Sequence, residues 1–137
     1  MKTYTFDDES FMSTDSYSTF ITTNPGTGYL TIRAYAASKA LPIMGVKIIV
    51  YKVIDDKKVI FFEGKTNESG IINNIKLPSP KANTNDLEIP IRTNYDIEAI
   101  YEPDKLDKKY SVNMYDGIHV IQNIIIVPKN VGDFFGN

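Results

Sequence analysis

The stretch VKIIVYKVIDDKKVIFFEGK, residues 46–65, decides the fold class of this chain. It contains two runs of β-branched and aromatic residues, Val46–Ile54 and Lys57–Lys65, which Asp55 and Asp56 separate. Such side chains favour β-strands, and a short acidic connection between two strands is typical of a tight turn. The stretch therefore predicts two neighbouring strands that reverse direction at the two aspartates.

The segments on either side of this stretch have the same character, and none shows the 3.6-residue period of a helix. Turn signals separate them, among them Asn67–Gly70 and the dipeptide Asp116-Gly117, which predicts a hairpin. The sequence predicts an all-β, seven-stranded antiparallel sandwich of the immunoglobulin type, without a helix longer than about two turns. The five remaining predicted strands are Gly28–Ala36, Ile71–Leu77, Ile91–Glu102, Tyr110–Tyr115 and Ile118–Val127.

Glycine and proline mark the expected turns. Gly70 and Gly117 are expected to supply turn geometry, because glycine adopts positive φ without steric cost. Pro78 and Pro80 open a polar loop that runs to about Pro90, and we expect them to keep this loop extended and outside the sheet.

Composition limits the possible functions. The chain has 137 residues, a net charge of −2, no cysteine and one histidine. Its length suits one domain, and its charge argues against binding nucleic acid or anionic lipid. Disulfides and thiolate metal sites are excluded, and we expect no metal or cofactor. No apolar run is long enough for membrane insertion, and the N-terminus has no signal-peptide pattern.

Catalytic motifs are missing from the sequence. The one histidine, His119, lies within the apolar run Ile118–Val127, and the acidic residues cluster at turns. A serine nucleophile needs a base that a third group orients, and paired-carboxylate chemistry needs two acids in one cleft. No phosphate-binding or EF-hand motif occurs. These observations predict that the chain is not an enzyme.

The first 27 residues differ from the rest, since they are acidic and rich in serine and threonine. Aromatic and β-branched residues alternate in Thr3–Phe6 and Tyr17–Thr22, which predicts a β-arm; a disordered acidic tail is the alternative. Pro25 and Gly26 are expected to form a hinge after the arm. The domain prediction is an arm at 1–27, a sandwich at 28–128 and a C-terminal tail at 129–137.

Four segments of the chain form one ordered pattern: Gly28–Val50, Thr66–Gly70 with Leu77–Pro80, Tyr95–Ala99, and Tyr115–Ile118 with Ile121–Asn123 and Val127-Pro128. Together they resemble transthyretin-like, carboxypeptidase-regulatory-like β-sandwich modules. The resemblance covers residues 28–128, and it implies an accessory or scaffold sandwich to which no catalytic residues carry over. The ending, from Tyr115 on, is similar to the accessory module of spore cortex-lytic enzymes and related envelope proteins of spore-forming Gram-positive bacteria.

Surplus apolar surface suggests self-association. Val46–Ile54 and Ile118–Val127 carry apolar residues on both faces, and a strand buried on one face needs only alternate apolar positions. We therefore expect a structural subunit of a spore or cell-surface assembly, a homo-oligomer or filament in which the arm adds a strand to another copy. The arm contacts are expected to be Tyr4, Phe6, Phe20 and Ile21.

Two alternatives stay open at this point. The chain could instead be a monomeric binding or regulatory module for a cell-wall, spore-coat or cortex-lytic partner, which its loops 36–43, 78–90 and 103–109 would contact. An isopeptide bond between Lys47 and Asn123, with Glu98 as the nearby acid, is a further possibility.

Overall fold

The structure, a computed structural model, describes residues 1–36, 41–82 and 91–127, which form two packed β-sheets and two short helices. The predicted sandwich is confirmed, with eight strands instead of seven. The elements are β1 (Lys2–Thr5), α1 (Glu9–Met12), α2 (Asp15–Thr23), β2 (Gly26–Ala36), β3 (Lys47–Ile54), β4 (Lys57–Lys65), β5 (Ile71–Ser79), β6 (Thr93–Tyr101), a 3₁₀ helix (Glu102–Asp104), β7 (Leu106–Met114) and β8 (His119–Ile126).

The two sheets differ in width. One has five strands in the order β1-β4-β3-β6-β7, and the other has three in the order β5-β2-β8. Most neighbours are antiparallel, as predicted, but β1 is parallel to β4 and β2 is parallel to β8. The expectation of a wholly antiparallel sandwich therefore fails at two strand pairs.

The β3–β4 hairpin confirms the interpretation of residues 46–65. Asp55 and Asp56 both have positive φ, 49° and 61°, as a two-residue type I′ turn requires. Both inward faces of the hairpin contribute to the core, through Ile48, Val50 and Val59, none of which is exposed.

A buried tyrosine joins the two sheets. Tyr95 on β6 has no exposed surface, and its hydroxyl donates a hydrogen bond to the carbonyl oxygen of Pro78 on β5 at 2.5 Å. Burial raises the pKa of Tyr95, so the hydroxyl stays protonated and remains a donor. This contact also places Pro78 inside a strand, where it pairs with Thr27, so the prediction that Pro78 lies outside the sheet is wrong. Proline is tolerated there because β5 is an edge strand.

The N-terminal segment contains one strand and two helices. Thr3–Phe6 was expected as a strand, and β1 covers most of it. The prediction of a strand at Tyr17–Thr22 is wrong, because these residues lie in α2, whose nine residues also exceed the expected two turns. The side-chain oxygen of Thr14 accepts a hydrogen bond from the backbone N–H of Tyr17 at 3.2 Å and caps the helix.

Side chains of this segment pack on the chain's own sandwich. The Phe6 ring stacks on Phe61 of β4 with ring centroids 4.4 Å apart, and the backbone N–H of Phe6 donates to the carbonyl oxygen of Ile60. Phe20 of α2 is only 6% exposed and belongs to the main core. The arm thus docks within one chain in this structure and does not require the expected second copy.

The expected hinge is part of a strand. Gly26 is the first residue of β2 and pairs with Ser79, so the predicted boundary at residue 28 falls inside β2. A Cβ atom at Gly26 would lie 2.6 Å from Oδ1 of Asp116, which explains the glycine by close packing. Pro25 is exposed in the connection between α2 and β2.

Asp116 and Gly117 connect the two sheets. The predicted hairpin at this dipeptide is wrong, because β7 lies in the five-stranded sheet and β8 in the three-stranded sheet. The Asp116 carboxylate accepts hydrogen bonds from the backbone N–H groups of Ala82 and Thr27, each at 3.0 Å. These two bonds hold the pKa of Asp116 below its ordinary value of 3.8.

The lowered pKa predicts a pH dependence of stability. A carboxylate with a lowered folded-state pKa stabilises the fold above pH 3.8, and this contribution is lost as the pH falls through the folded-state value. The difference in unfolding free energy between the wild type and D116N should therefore narrow in acid. Urea unfolding at several pH values measures it, with E68Q in an exposed turn as the control. A difference that stays constant down to the acid limit would contradict the assignment.

Gly70 and Gly117 form a matched pair that tests whether the backbone packs closely against the turn at Gly70. Both have positive φ, 73° and 75°, but a Cβ atom at Gly70 would lie 2.4 Å from the carbonyl oxygen of Ala34, whereas nothing lies within 4 Å at Gly117. We expect G117A to cost about 1 kcal/mol from backbone strain alone, and G70A about 3 kcal/mol from strain plus overpacking. Equal losses in chemical denaturation would contradict the close approach at Gly70.

Phe20 provides the test of the docked segment. Removing a buried phenylalanine side chain leaves a cavity, so F20A should lower the free energy of unfolding by about 3 kcal/mol. The neighbouring I21A, at a half-buried position, should cost about 1 kcal/mol. If F20A left stability unchanged and altered only the oligomeric state, the segment would dock on another copy, as the sequence suggested.

Candidate functional site

Strand β8 has a free backbone edge. Among the described strands it pairs with β2 alone, and the N–H of Tyr29 donates to the carbonyl oxygen of Ile118 at 3.0 Å. Because backbone groups alternate in direction along a strand, the even-numbered residues of β8 pair with β2 and the odd-numbered ones face away from it. The odd-numbered residues are His119, Ile121, Asn123 and Ile125.

Side chains already occupy one end of this edge. The N–H of Ile125 donates to the Tyr110 hydroxyl at 3.3 Å, and its carbonyl oxygen accepts from Nζ of Lys108 at 2.8 Å, both from β7. Within the residues that the structure describes, the backbone N–H and C=O of Ile121 have no hydrogen-bond partner. We call the outward backbone groups of residues 119–123 the β8 edge.

Two exposed isoleucines lie on the outer face of β8, where they alternate with His119 and Asn123. Ile121 is 57% exposed and Ile125 37%, while the alternate residues Ile124 and Ile126 are buried. Strand β8 contains no lysine, arginine, aspartate or glutamate. An uncharged edge strand with exposed isoleucine is a template for pairing with another strand.

The three other edge strands carry protective features. Strand β1 has only four residues and begins with Lys2, β5 contains Pro78, and β7 contains Asp107, Lys108 and Lys109. Short length, proline and charge all discourage pairing with a further strand. Of the four edges in the described parts of the sandwich, β8 alone has none of these features.

Polar residues share the outer face with this edge. The imidazole of His119 stacks on the Tyr29 ring, with centroids 5.0 Å apart and an interplanar angle of 23°. Arg33 and Asn123 lie side by side on β2 and β8, and with Tyr35 they line a cavity of about 390 Å³. The outer face of the three-stranded sheet is therefore mixed in character, with apolar residues toward its β8 side.

The residues expected to form the arm contacts lie close together, but their contacts are within one chain. The Tyr4 ring is 5.8 Å from Phe11, and the Phe6 ring is 5.8 Å from Phe20. Ile21 is half-buried on α2. The arm aromatics thus contact each other and the chain's own sandwich.

The remaining sequence-predicted positions have structural surroundings. Gly70 and Gly117 lie in turns, and Pro80 follows β5 and is buried. The isopeptide hypothesis is wrong for this geometry, because Lys47 and Asn123 lie in different sheets, with Lys47 against Glu63 at 3.4 Å. The predicted tail at 129–137 and most of the loop up to Pro90 lie outside the described residues.

Neither a metal site nor a membrane-spanning helix is found in the described ranges. Residues 1–36, 41–82 and 91–127 contain no group of three or more potential metal ligands among histidine, aspartate and glutamate. No helix in these same ranges is long and apolar enough to cross a bilayer.

Comparisons with known proteins identify the fold. No family model matches the chain, and no curated protein matches its sequence. Among solved structures, transthyretin from Sparus aurata has a TM-score of 0.50 at 16% identity, over 72% of this chain and 88% of its own. (S)-Allantoin synthase has a TM-score of 0.52 at 12% identity; the match covers 75% of this chain but only 41% of the synthase. Klebsiella pneumoniae 5-hydroxyisourate hydrolase has a TM-score of 0.48 at 16% identity, over 75% and 92% of the two chains.

The class of fold is transthyretin-like, as the resemblance implied. The prediction that the chain is not an enzyme is wrong as an exclusion, because structures of the same fold include enzymes such as (S)-allantoin synthase. The prediction rests on motifs missing from the sequence, which is not sufficient to exclude an activity. At 12–16% identity the similarity shows the fold alone and transfers no site residue.

Sequence reasoning pointed to the β8 region but not to its edge. The run Ile118–Val127 has apolar residues on both faces, which indicates a partner, but the sequence pattern favours the arm as that partner. The additional signal in the sequence is the absence of charge from His119 to Ile126, whereas Leu106–Met114 carries three charged residues.

Proposed function

We propose that the protein is the subunit of a homo-oligomer, which assembles by pairing the β8 edge of one copy with the β8 edge of another. The observation that carries this proposal is the unpaired, uncharged backbone edge at Ile121 beside exposed isoleucines. Strand addition satisfies several backbone groups at once and removes apolar surface from water. This proposal retains the self-association expected from the sequence, but the strand that pairs between copies is β8 and not the arm.

The occupant is a second copy because the edge is complementary to itself. In an antiparallel pair centred on Ile121, His119 of one copy lies opposite Asn123 of the other, and no charges oppose each other. Lys108 and Tyr110 end the available edge at Ile125, so the paired segment is short and centred. Nε2 of Gln122 donates to the carbonyl oxygen of Asn123 at 3.1 Å, and the second copy must displace this side chain. A two-fold contact of this kind closes on itself, which supports a dimer in preference to an open filament.

Two finer parts of the sequence interpretation remain predictions. They are the location on a spore or cell surface and the relationship to the module of cortex-lytic enzymes. The proposed dimer requires neither of them, and it does not exclude an activity on the outer face of the sheet.

The absence of cysteine from the chain makes the pairing directly testable. In a hydrogen-bonded antiparallel pair the two Ile121 Cα atoms would lie about 5.5 Å apart, within the range that a disulfide spans. I121C should therefore form a covalent dimer under mild oxidation. V53C, on the outer face of β3 with a similar exposure of 46%, is the matched control and should form little covalent dimer, although it still pairs through β8.

A charge variant tests the same pairing without a covalent bond. I121K should raise the dimer dissociation constant at least about tenfold, because it places like charges opposite each other at an edge. V53K should leave the constant unchanged, and both variants should keep the melting temperature of the wild type at concentrations below the dimer dissociation constant, where dimerisation adds no stability. Sedimentation analysis over a wide concentration range measures this. A wild type that stays monomeric throughout would contradict the proposal and favour the monomeric binding module.

A further inference from the structure

A second surface feature is independent of the β8 edge. Helix α2, the end of β3 and the start of β6 enclose a cleft of about 410 Å³, which we call the α2 cleft. Its apolar lining includes Phe20, Ile54 and Ile91. Volumes of this order, with an apolar lining and a few polar groups, are typical of sites for small molecules.

A half-buried ammonium group faces this cleft. Nζ of Lys52 donates to the backbone carbonyl oxygen of Asn94 at 2.8 Å, which uses one of its three donors. The only ion pair in the described parts of the chain is Lys47 with Glu63, so Lys52 has no carboxylate within ion-pair distance there. Burial lowers the pKa of Lys52, since the charged form loses hydration.

The other charges of the cleft leave a net positive site. Arg92 lines the same cleft and adds a second cation. Among the lining residues Asp55 is the opposing charge, but its Oδ2 accepts from Oγ of Ser16 at 2.7 Å, and Nζ of Lys57 lies 3.2 Å from that same Oγ. The aspartate is thus engaged at the Ser16 side, away from the bond that Lys52 makes to Asn94. Asp96, outside the lining, also attracts the Lys52 ammonium, but burial is the larger influence on Lys52.

We propose that the α2 cleft binds a small organic carboxylate, whose anionic group lies between Lys52 and Arg92 and whose apolar body packs on Phe20 and Ile54. An anion supplies the acceptors that a half-buried ammonium lacks, and charge-assisted hydrogen bonds are stronger than neutral ones. The apolar lining favours a carboxylate with a hydrocarbon body over an inorganic anion. This site does not depend on the proposed dimer, because none of its residues lies on β8.

Benzoate is a suitable probe because it combines a carboxylate with a small apolar ring, as the proposed ligand does. In a titration of the isotopically labelled full chain, benzoate should cause saturable NMR shifts in the backbone amides of Thr19, Phe20, Thr93 and Asn94. Benzamide, the uncharged analogue, should bind at least about tenfold more weakly. No saturable shift with benzoate, or equal affinity for benzamide, would overturn the proposal.

Variants locate the anion within the cleft. K52M keeps the length of the side chain and removes its charge, so it should weaken benzoate binding at least about tenfold. K58M removes the same charge from a lysine that covers Tyr51 outside the cleft, and it should bind benzoate like the wild type. R92Q, at an exposed position, should also weaken binding without loss of stability. Unchanged binding in both K52M and R92Q would overturn the proposal.

Inorganic phosphate separates a built site from general attraction to cations. Phosphate should shift the cleft amides less than benzoate does at equal concentration. Equal or stronger binding of phosphate would contradict a role for Phe20 and Ile54, and with it the proposed class of ligand.

Discussion

The five-stranded sheet must bury a wide inner face against a sheet of only three strands, and the rest of the structure depends on this mismatch. The N-terminal segment meets the need, since Phe6 and Phe20 pack with Phe61 and Tyr95 beside the main core. Burial of large aromatic surfaces is the main source of stability in such a cluster. In this structure the segment therefore packs as part of its own domain.

The same mismatch produces the two surface features. Helix α2 covers part of the inner face that a further strand would otherwise cover. Its polar residues lie beside Lys52 and Ile54 of β3, and the space between them is the α2 cleft. The narrow sheet ends at β8 without a further strand among the described residues, and it leaves Ile121 unpaired. One feature suits a small molecule and the other a second copy, and each can be lost without the other.

The sequence predicted the strands correctly where neighbouring residues carry both the turn signal and the β-branched runs. The Asp55-Asp56 turn and the runs beside it indicate β3 and β4 from neighbouring residues alone. Tyr17–Thr22 shows the opposite case. Its residues tolerate either a strand or a helix, and Tyr17, Phe20 and Ile21 have the i, i+3, i+4 spacing of one helix face. The Thr14 cap and the burial of Phe20 favour the helix. The cleft was not predictable, because its lining comes from α2, β3 and the start of β6, which are distant in sequence and come together only in the folded chain.

Amide hydrogen exchange of the full chain at low and high protein concentration tests the central claim most directly. The claim is that β1 docks within the chain and that β8 pairs between chains. The account predicts that the Phe6 amide, which donates to Ile60, is protected equally at both concentrations, and that the Ile121 amide gains protection only at the high one. Protection of Phe6 that rises with concentration, with Ile121 exchanging freely throughout, would contradict it.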